Sequence, residues 1–275
     1  MAVASVWHEG AAGMIARGQA SWLMGSVALA VLAALLWPIV YALWISFTPQ
    51  ELLTPPTTSW SLRWYEAFFS QSQWTSGLQS SLIVGALACA LSIVCGGSAA
   101  LAVARHRFGG GRWLEAAVLL PLFVPALVIG MALLPIMRSV GLWGTYLSVA
   151  AAHSLWGLPL VFLAVRGAVE DADPNLESAA AGLGANGRQT FLFVTLPVIA
   201  PAVAVGALMA FVVSLNELMM AIFLCTPGIE TLPKIIWPNL RYTLSPVIAA
   251  ASGISMLVTL LVLGVAFLIG RIRFR

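Results

Sequence analysis

Long apolar runs, each closed by charged residues, organise this chain from end to end. No charged residue occurs between Arg17 and Glu51, and Trp22 to Phe47 reads as a first membrane span. Five further runs follow, near Ser80 to Ala104, Ala116 to Met137, Leu142 to Val165, Leu192 to Leu215 and Ile248 to Ile269. Each is about as long as the ~20 residues that cross a bilayer as a helix. The runs are continuous rather than alternating, which points to helices and excludes a barrel. The expected fold is therefore an all-α polytopic membrane protein with six transmembrane helices.

This divides the chain into a tail (1–20), an anchor helix (21–47), an external segment (48–79), a core of five spans (80–270) and a short tail (271–275). The first run is too long for a signal peptide, begins well inside the chain and lacks a convincing small-residue cleavage site. The external segment is rich in Pro, Thr, Ser and Trp, with a short amphipathic helix expected around Leu62 to Phe69. Trp60, Trp64 and Trp74 fit an interfacial aromatic belt, with a docking surface for an external partner as the alternative. In the second span, Ala88, Ser92, Gly96, Ala100 and Ala104 recur every four residues and line one face for close helix contact. Pro121, Pro125 and Pro135 in the third span and Pro159 in the fourth remove backbone donors and favour kinks.

Composition sharpens this picture: 61% of the 275 residues are hydrophobic and 8% charged, leaving little to solvate a water-soluble surface. With both termini inside, Arg17, Arg105, Arg107, Arg112, Arg166, Arg188, Arg271, Arg273 and Arg275 fall on the cytoplasmic side of a cell membrane. Arg63, Arg138, Lys234 and Arg241 fall outside, a bias that obeys the positive-inside rule. These arginines account for the net charge of +3 without a basic stripe, so membrane lipid rather than nucleic acid is the expected surface. Cys89, Cys95 and Cys225 show neither CxxC spacing nor a His cluster, which leaves packing and no metal. His153 stands alone in its span and reads as a hydrogen-bonded interior residue.

The connection from Arg166 to Thr195 is unusually well punctuated. Asp173 can cap a helix whose first position is Pro174, and Leu176, Ala179 and Ala180 share a face of that helix. Gly182 and Gly184 can end it, and Asn186 with Gln189 resembles a second capping box. A short helix with a small alanine face buries little against its own bundle and suits insertion into a groove on another protein, whereas the plain alternative is an ordinary capped loop.

These residues carry a family resemblance. Ser178, Ala179, Ala180, then Gly184, Val194, Leu196 and Pro197 keep every interval of the EAA loop of binding-protein-dependent (MetI-like) ABC permeases, with Ser178 where the family has Glu and Val194 where it has Ile. Glu177 lies one place early, turned by about 100° around the helix, which puts in doubt the family Glu's polar contact with the ATPase. The similarity to the permease core spans about residues 79–269, and SLRWYEAFF from Ser61, ahead of that core, PLFVPALVIGMALL from Pro121 and SLNELMMAIFLCTPGIETLP from Ser214 look most like the spermidine/putrescine-type branch.

The resemblance implies a permease core with cytoplasmic coupling helices, a second permease subunit in a heterodimer, two ATPase subunits and a periplasmic solute-binding protein. ATP and Mg would be bound by the partner ATPase, with no cofactor in this chain. In keeping with that, the only lysine, Lys234, follows Pro233, so no GxxxxGK[ST] phosphate loop exists. Nor are catalytic groups clustered as an enzyme requires. A secondary transporter or channel is the competing reading. For the translocation path, Asn216 and Glu217 stand out at the outer end of the fifth span. An anion there favours a cationic solute such as a polyamine, and the equal alternative is a surface ion pair of Glu217 with Lys234 or Arg241.

Overall fold

The computed structural model describes residues 3–56, 59–105 and 109–273, with side chains described at Trp22 and over 24–265 within that range. Of the arginines used for orientation, Arg107 and Arg275 lie outside the described residues, as do the side chains of Arg17, Arg271 and Arg273.

Helix α1 (Val3–Ile45) contains the expected anchor, and its flank is almost wholly exposed to what would be lipid. A short helix α2 (Arg63–Ser70) follows, then α3 (Ser72–Ser92), a π-helical turn (Ile93–Gly97) and α4 (Ser98–Arg105). Together α3 and α4 make one 34-residue span that starts at Ser72, eight residues before the expected Ser80.

The third span departs from the expected continuous helix. It is split into α5 (Gly111–Leu119) with a 3-10 turn (Leu120–Phe123), and α6 (Ala126–Ser139), bent by 109°. Val124, immediately before Pro125, is extended at φ −98° and ψ 127°, which is where proline drives its predecessor. Pro125 then opens α6, where its missing donor costs nothing.

Helix α7 (Tyr146–Asp171) is the most enclosed span, followed by α8 (Asn175–Gly182), α9 (Gly187–Thr190), a second π-helical turn (Phe191–Thr195) and α10 (Leu196–Leu215). The chain ends through α11 (Met219–Leu224), α12 (Leu232–Tyr242) and α13 (Val247–Arg273). Among the described residues five helices are long and apolar enough to cross a membrane, and the bent pair makes a sixth if taken as one span.

Small residues let α7 sit against both neighbours. The stripe on α3 and α4 faces it: Ser92 Oγ donates to the Ala88 and Ser154 carbonyls at 2.7 and 3.3 Å. A methyl at Gly96 would sit 2.5 Å from the Leu158 carbonyl oxygen, and one at Gly206 would sit 2.9 Å from Val161 Cα. At the other end, Phe68, Trp74, Leu232, Ile235 and Val247 form a separate apolar cluster that ties α2, α12 and α13 to the start of α3.

The tryptophans divide accordingly. Trp74 is a core residue of that cluster and not part of a belt, whereas Trp60 is exposed and Trp64 donates to the Thr48 carbonyl at 2.8 Å. Arginines lie over rings at this end: Arg63 on Trp64, Arg138 on Trp143 and Arg241 on Trp237. Cys225 is buried, as a packing residue would be, but Cys95 is exposed.

Candidate functional site

The loop between α7 and α10 folds as helix, glycine turn, helix. Asp173 Oδ1 accepts the Asn175 N–H at 2.9 Å, so the carboxylate does serve the helix start, and α8 begins at Asn175 rather than Pro174. At its other end the Ala185 N–H reaches the Ala180 carbonyl and the Gly184 N–H reaches that of Ala181, both at 3.0 Å. This paired closure needs a left-handed residue after the helix, and Gly184 supplies it at φ +90°. Gly182 stays helical. Asn186 and Gln189 then exchange side-chain-to-backbone bonds, each 2.9 Å, as a complete capping box for α9.

No residue of α8 is buried. Ala179 and Leu176 are exposed, Ala180 is half-buried, and Leu183 at the tip is 91% exposed. Ser178 is also exposed, its hydroxyl directed at the Pro174 carbonyl of its own helix at 3.4 Å. Leu196 and Pro197, where the motif ends, start α10, with Leu196 half-buried and Pro197 exposed.

Glu177 points the other way. Its Oε1 accepts the Thr195 hydroxyl at 2.8 Å and lies 3.2 Å from Arg105 Nη2, so the end of α4, the start of α8 and the start of α10 meet at one oxygen. Nearby, Arg166 pairs with both Glu115 and Glu170, tying α7 to α5.

At the far end of α10 the structure corrects both expectations for Glu217. The carboxylate neither faces a cavity nor pairs with Lys234 or Arg241. It accepts the backbone N–H groups of Met219, Met220 and Ala221 at 2.9 to 3.3 Å, capping α11. His153 Nε2 lies 3.3 Å from it, off hydrogen-bond alignment, while His153 Nδ1 meets Ser214 Oγ at 2.8 Å. Lys234 is held instead by Glu230 at 3.0 Å.

Asn216 separates from its neighbour: it is exposed and lines a cavity of about 450 Å³ with Trp237, Ser252, Ser255, Met256 and Thr259. That wall is mostly apolar, with one amide and three hydroxyls set into it and no charged side chain. Its hydroxyls and amide could orient a small solute, and the cavity could hold one, but they cannot neutralise a cation by themselves.

Residues 92–274 match the family described as "Binding-protein-dependent transport system inner membrane component". The chain belongs to this family. It is a permease subunit of an ATP-binding cassette importer, which removes the secondary transporter and the channel as alternatives.

The permease is 30% identical over 221 residues to the "Putrescine transport system permease protein PotI" of Escherichia coli (strain K12), covering 78% of each chain. It is 26% identical over 251 residues to the "Spermidine/putrescine transport system permease protein PotC" of Haemophilus influenzae, covering 91% of this chain and 97% of that one. A solved bacterial alginate ABC transporter, in complex with an alginate pentasaccharide-bound periplasmic protein, has a chain of the same fold. That chain superposes with a TM-score of 0.70 at 17% identity, over 90% of the permease and 93% of itself.

Within the permease, sequence reasoning found the loop and missed what holds it. Arg105 carries one visible signal, a basic residue closing a helix, and Thr195 none beyond its place between Val194 and Leu196 of the motif. His153 was legible only as an isolated polar residue, because its partners Ser214 and Glu217 lie 61 and 64 positions away.

Proposed function

We propose that this permease forms one side of the translocation path for a small organic cation of the polyamine kind. The loop at 166–195 docks on ATPase subunits that bind ATP and Mg, a homologous second permease completes the path, and a separate periplasmic protein delivers the solute. Both termini then lie in the cytoplasm, the end that carries Arg105, Arg166 and Arg188, and 80–270 is the permease core with 21–47 as its anchor.

The observation that carries the docking role is the protruding α8, closed by Gly184 and burying none of its residues against its own bundle. The polyamine reading is supported by the likeness to PotI and PotC, since Glu217 is turned to His153 and gives it no support. Charge for a cation would then come from the second subunit, across the neutral wall of Asn216, Ser252, Ser255 and Thr259.

Uptake of labelled putrescine, spermidine and trehalose into proteoliposomes containing the whole complex tests this reading. The expected result is ATP-dependent uptake of the polyamines that requires the binding protein. Preference for trehalose would overturn the solute assignment, and uptake without ATP would overturn the docking role.

A further inference from the structure

Apolar packing holds α8 only lightly, since none of its residues is buried and Leu183 projects outward. Its first turn instead sends Glu177 into the crevice between α4 and α10.

We propose that Glu177, Arg105 and Thr195 form a latch within this chain that positions the coupling helix and yields when the ATPase moves it. Glu177 is then a positioning residue for coupling and not an ATPase contact. The proposal rests on the docking role given to the loop above.

The charges suit their places. Arg105 lies in the last turn of α4 and Glu177 in the first turn of α8, so each meets the favourable end of its helix dipole. The pair is half-enclosed, with 22% and 31% of the two side chains exposed. A contact of this kind orients a helix and can still break, whereas a fully buried pair resists separation.

Both spans joined by the latch carry a π-helical turn close to it, Ile93–Gly97 ahead of α4 and Phe191–Thr195 ahead of α10. Such turns recur at functional sites, and here each marks a point where a span departs from regular pairing. Beneath α8, a cavity of about 650 Å³ lined by Ser98, Leu101, Arg105, Glu177, Phe191 and Thr195 leaves room for the helix to shift. Arg105 Nε is enclosed without a partner, so the guanidinium keeps donor capacity for a second arrangement.

The test uses the complete importer in proteoliposomes, with Arg105→Gln, Thr195→Val, Glu177→Gln and the Arg105→Gln/Glu177→Gln double variant. ATPase co-purification and the ATP hydrolysed per solute imported are measured for each. Arg105→Gln and Thr195→Val are expected to keep the bound ATPase, yet Arg105→Gln should raise ATP consumed per solute by about five-fold, the factor one ion pair of ordinary strength supports. The double variant should match the single ones, and the exchanged pair Arg105→Glu with Glu177→Arg should recover only part of the coupling, because each charge then meets the unfavourable end of its helix dipole.

Wild-type coupling in Arg105→Gln, or additive losses in the double variant, would overturn the latch. Loss of ATPase from Glu177→Gln alone would assign that carboxylate to the ATPase contact instead. If Arg105→Gln does not insert, Thr195→Val carries the same comparison, and unchanged coupling there overturns the proposal. A wild-type complex that binds no ATPase would overturn the docking role itself, and the latch with it.

Discussion

His153 Nε2 lies 3.3 Å from Glu217 Oε2, in a site where 0% and 4% of the two side chains are exposed. The same carboxylate receives three backbone N–H groups of α11, so it closes the break between α10 and α11 while drawing α7 against both. Flanking it, Asn216 and Leu218 turn into the cavity wall. One buried acid thus shapes a solute-sized space without entering it.

Glu217→Gln removes the charge and half of the acceptor capacity, leaving buried N–H groups short of a partner at a cost of about 1–3 kcal/mol. Thermal unfolding of the detergent-solubilised complex should show the loss, with solute preference unchanged between cationic and neutral compounds. A changed preference at unchanged stability would mean that the carboxylate meets the solute.

Gly184→Val places a β-branched residue at φ +90°, a strain of about 1–3 kcal/mol that the turn must absorb or avoid. A Cβ there meets no neighbouring atom, so backbone conformation alone is at issue. The protein should insert normally and lose stimulated ATP hydrolysis; full transport would make the turn a mere connector.

Leu183→Asp and Ala180→Asp place a charge at the exposed tip of α8 and at its half-buried flank. Melting temperature should stay within experimental scatter for Leu183→Asp while ATPase co-purification falls, because a desolvated charge in an apolar groove costs ~2 kcal/mol or more. Retention of the ATPase in both variants would remove this face from the interface.

Gly157→Ala should destabilise the bundle by about 1–3 kcal/mol, since its methyl would fall 2.5 Å from Ser92 Oγ and 2.8 Å from Ala210 Cβ. Gly167→Ala, on the same helix with open space around it, should be neutral or stabilising by up to ~1 kcal/mol. Equal effects in the two variants would deny that α7 is packed through its small residues.

Much of the loop was legible because its signals are local. Asp173, Gly184 and the Asn186–Gln189 pair each act within two to five residues of themselves, so spacing places the caps and narrows the left-handed turn to two glycines. The small stripe from Ala88 to Ala104 was readable for the same reason, as helical periodicity sets which residues share a face. The break in the third span was harder. Prolines at 121, 125 and 135 all permit a kink, and only the course of the backbone shows that Val124 and Pro125 take it.

What the amino-acid sequence by itself determined is the solvent, the apolar runs long enough to cross it and the loop motif, since these follow from hydropathy and from neighbours along the chain. Tertiary structure alone decided what the charged residues do. Glu177 reaches Arg105 across 72 positions and Glu217 reaches His153 across 64, pairings that no local pattern encodes. An acid inside an apolar bundle must find a cation or backbone donors, but which ones it finds depends on which helices pack together, and that is settled by the small residues of α3, α7 and α10.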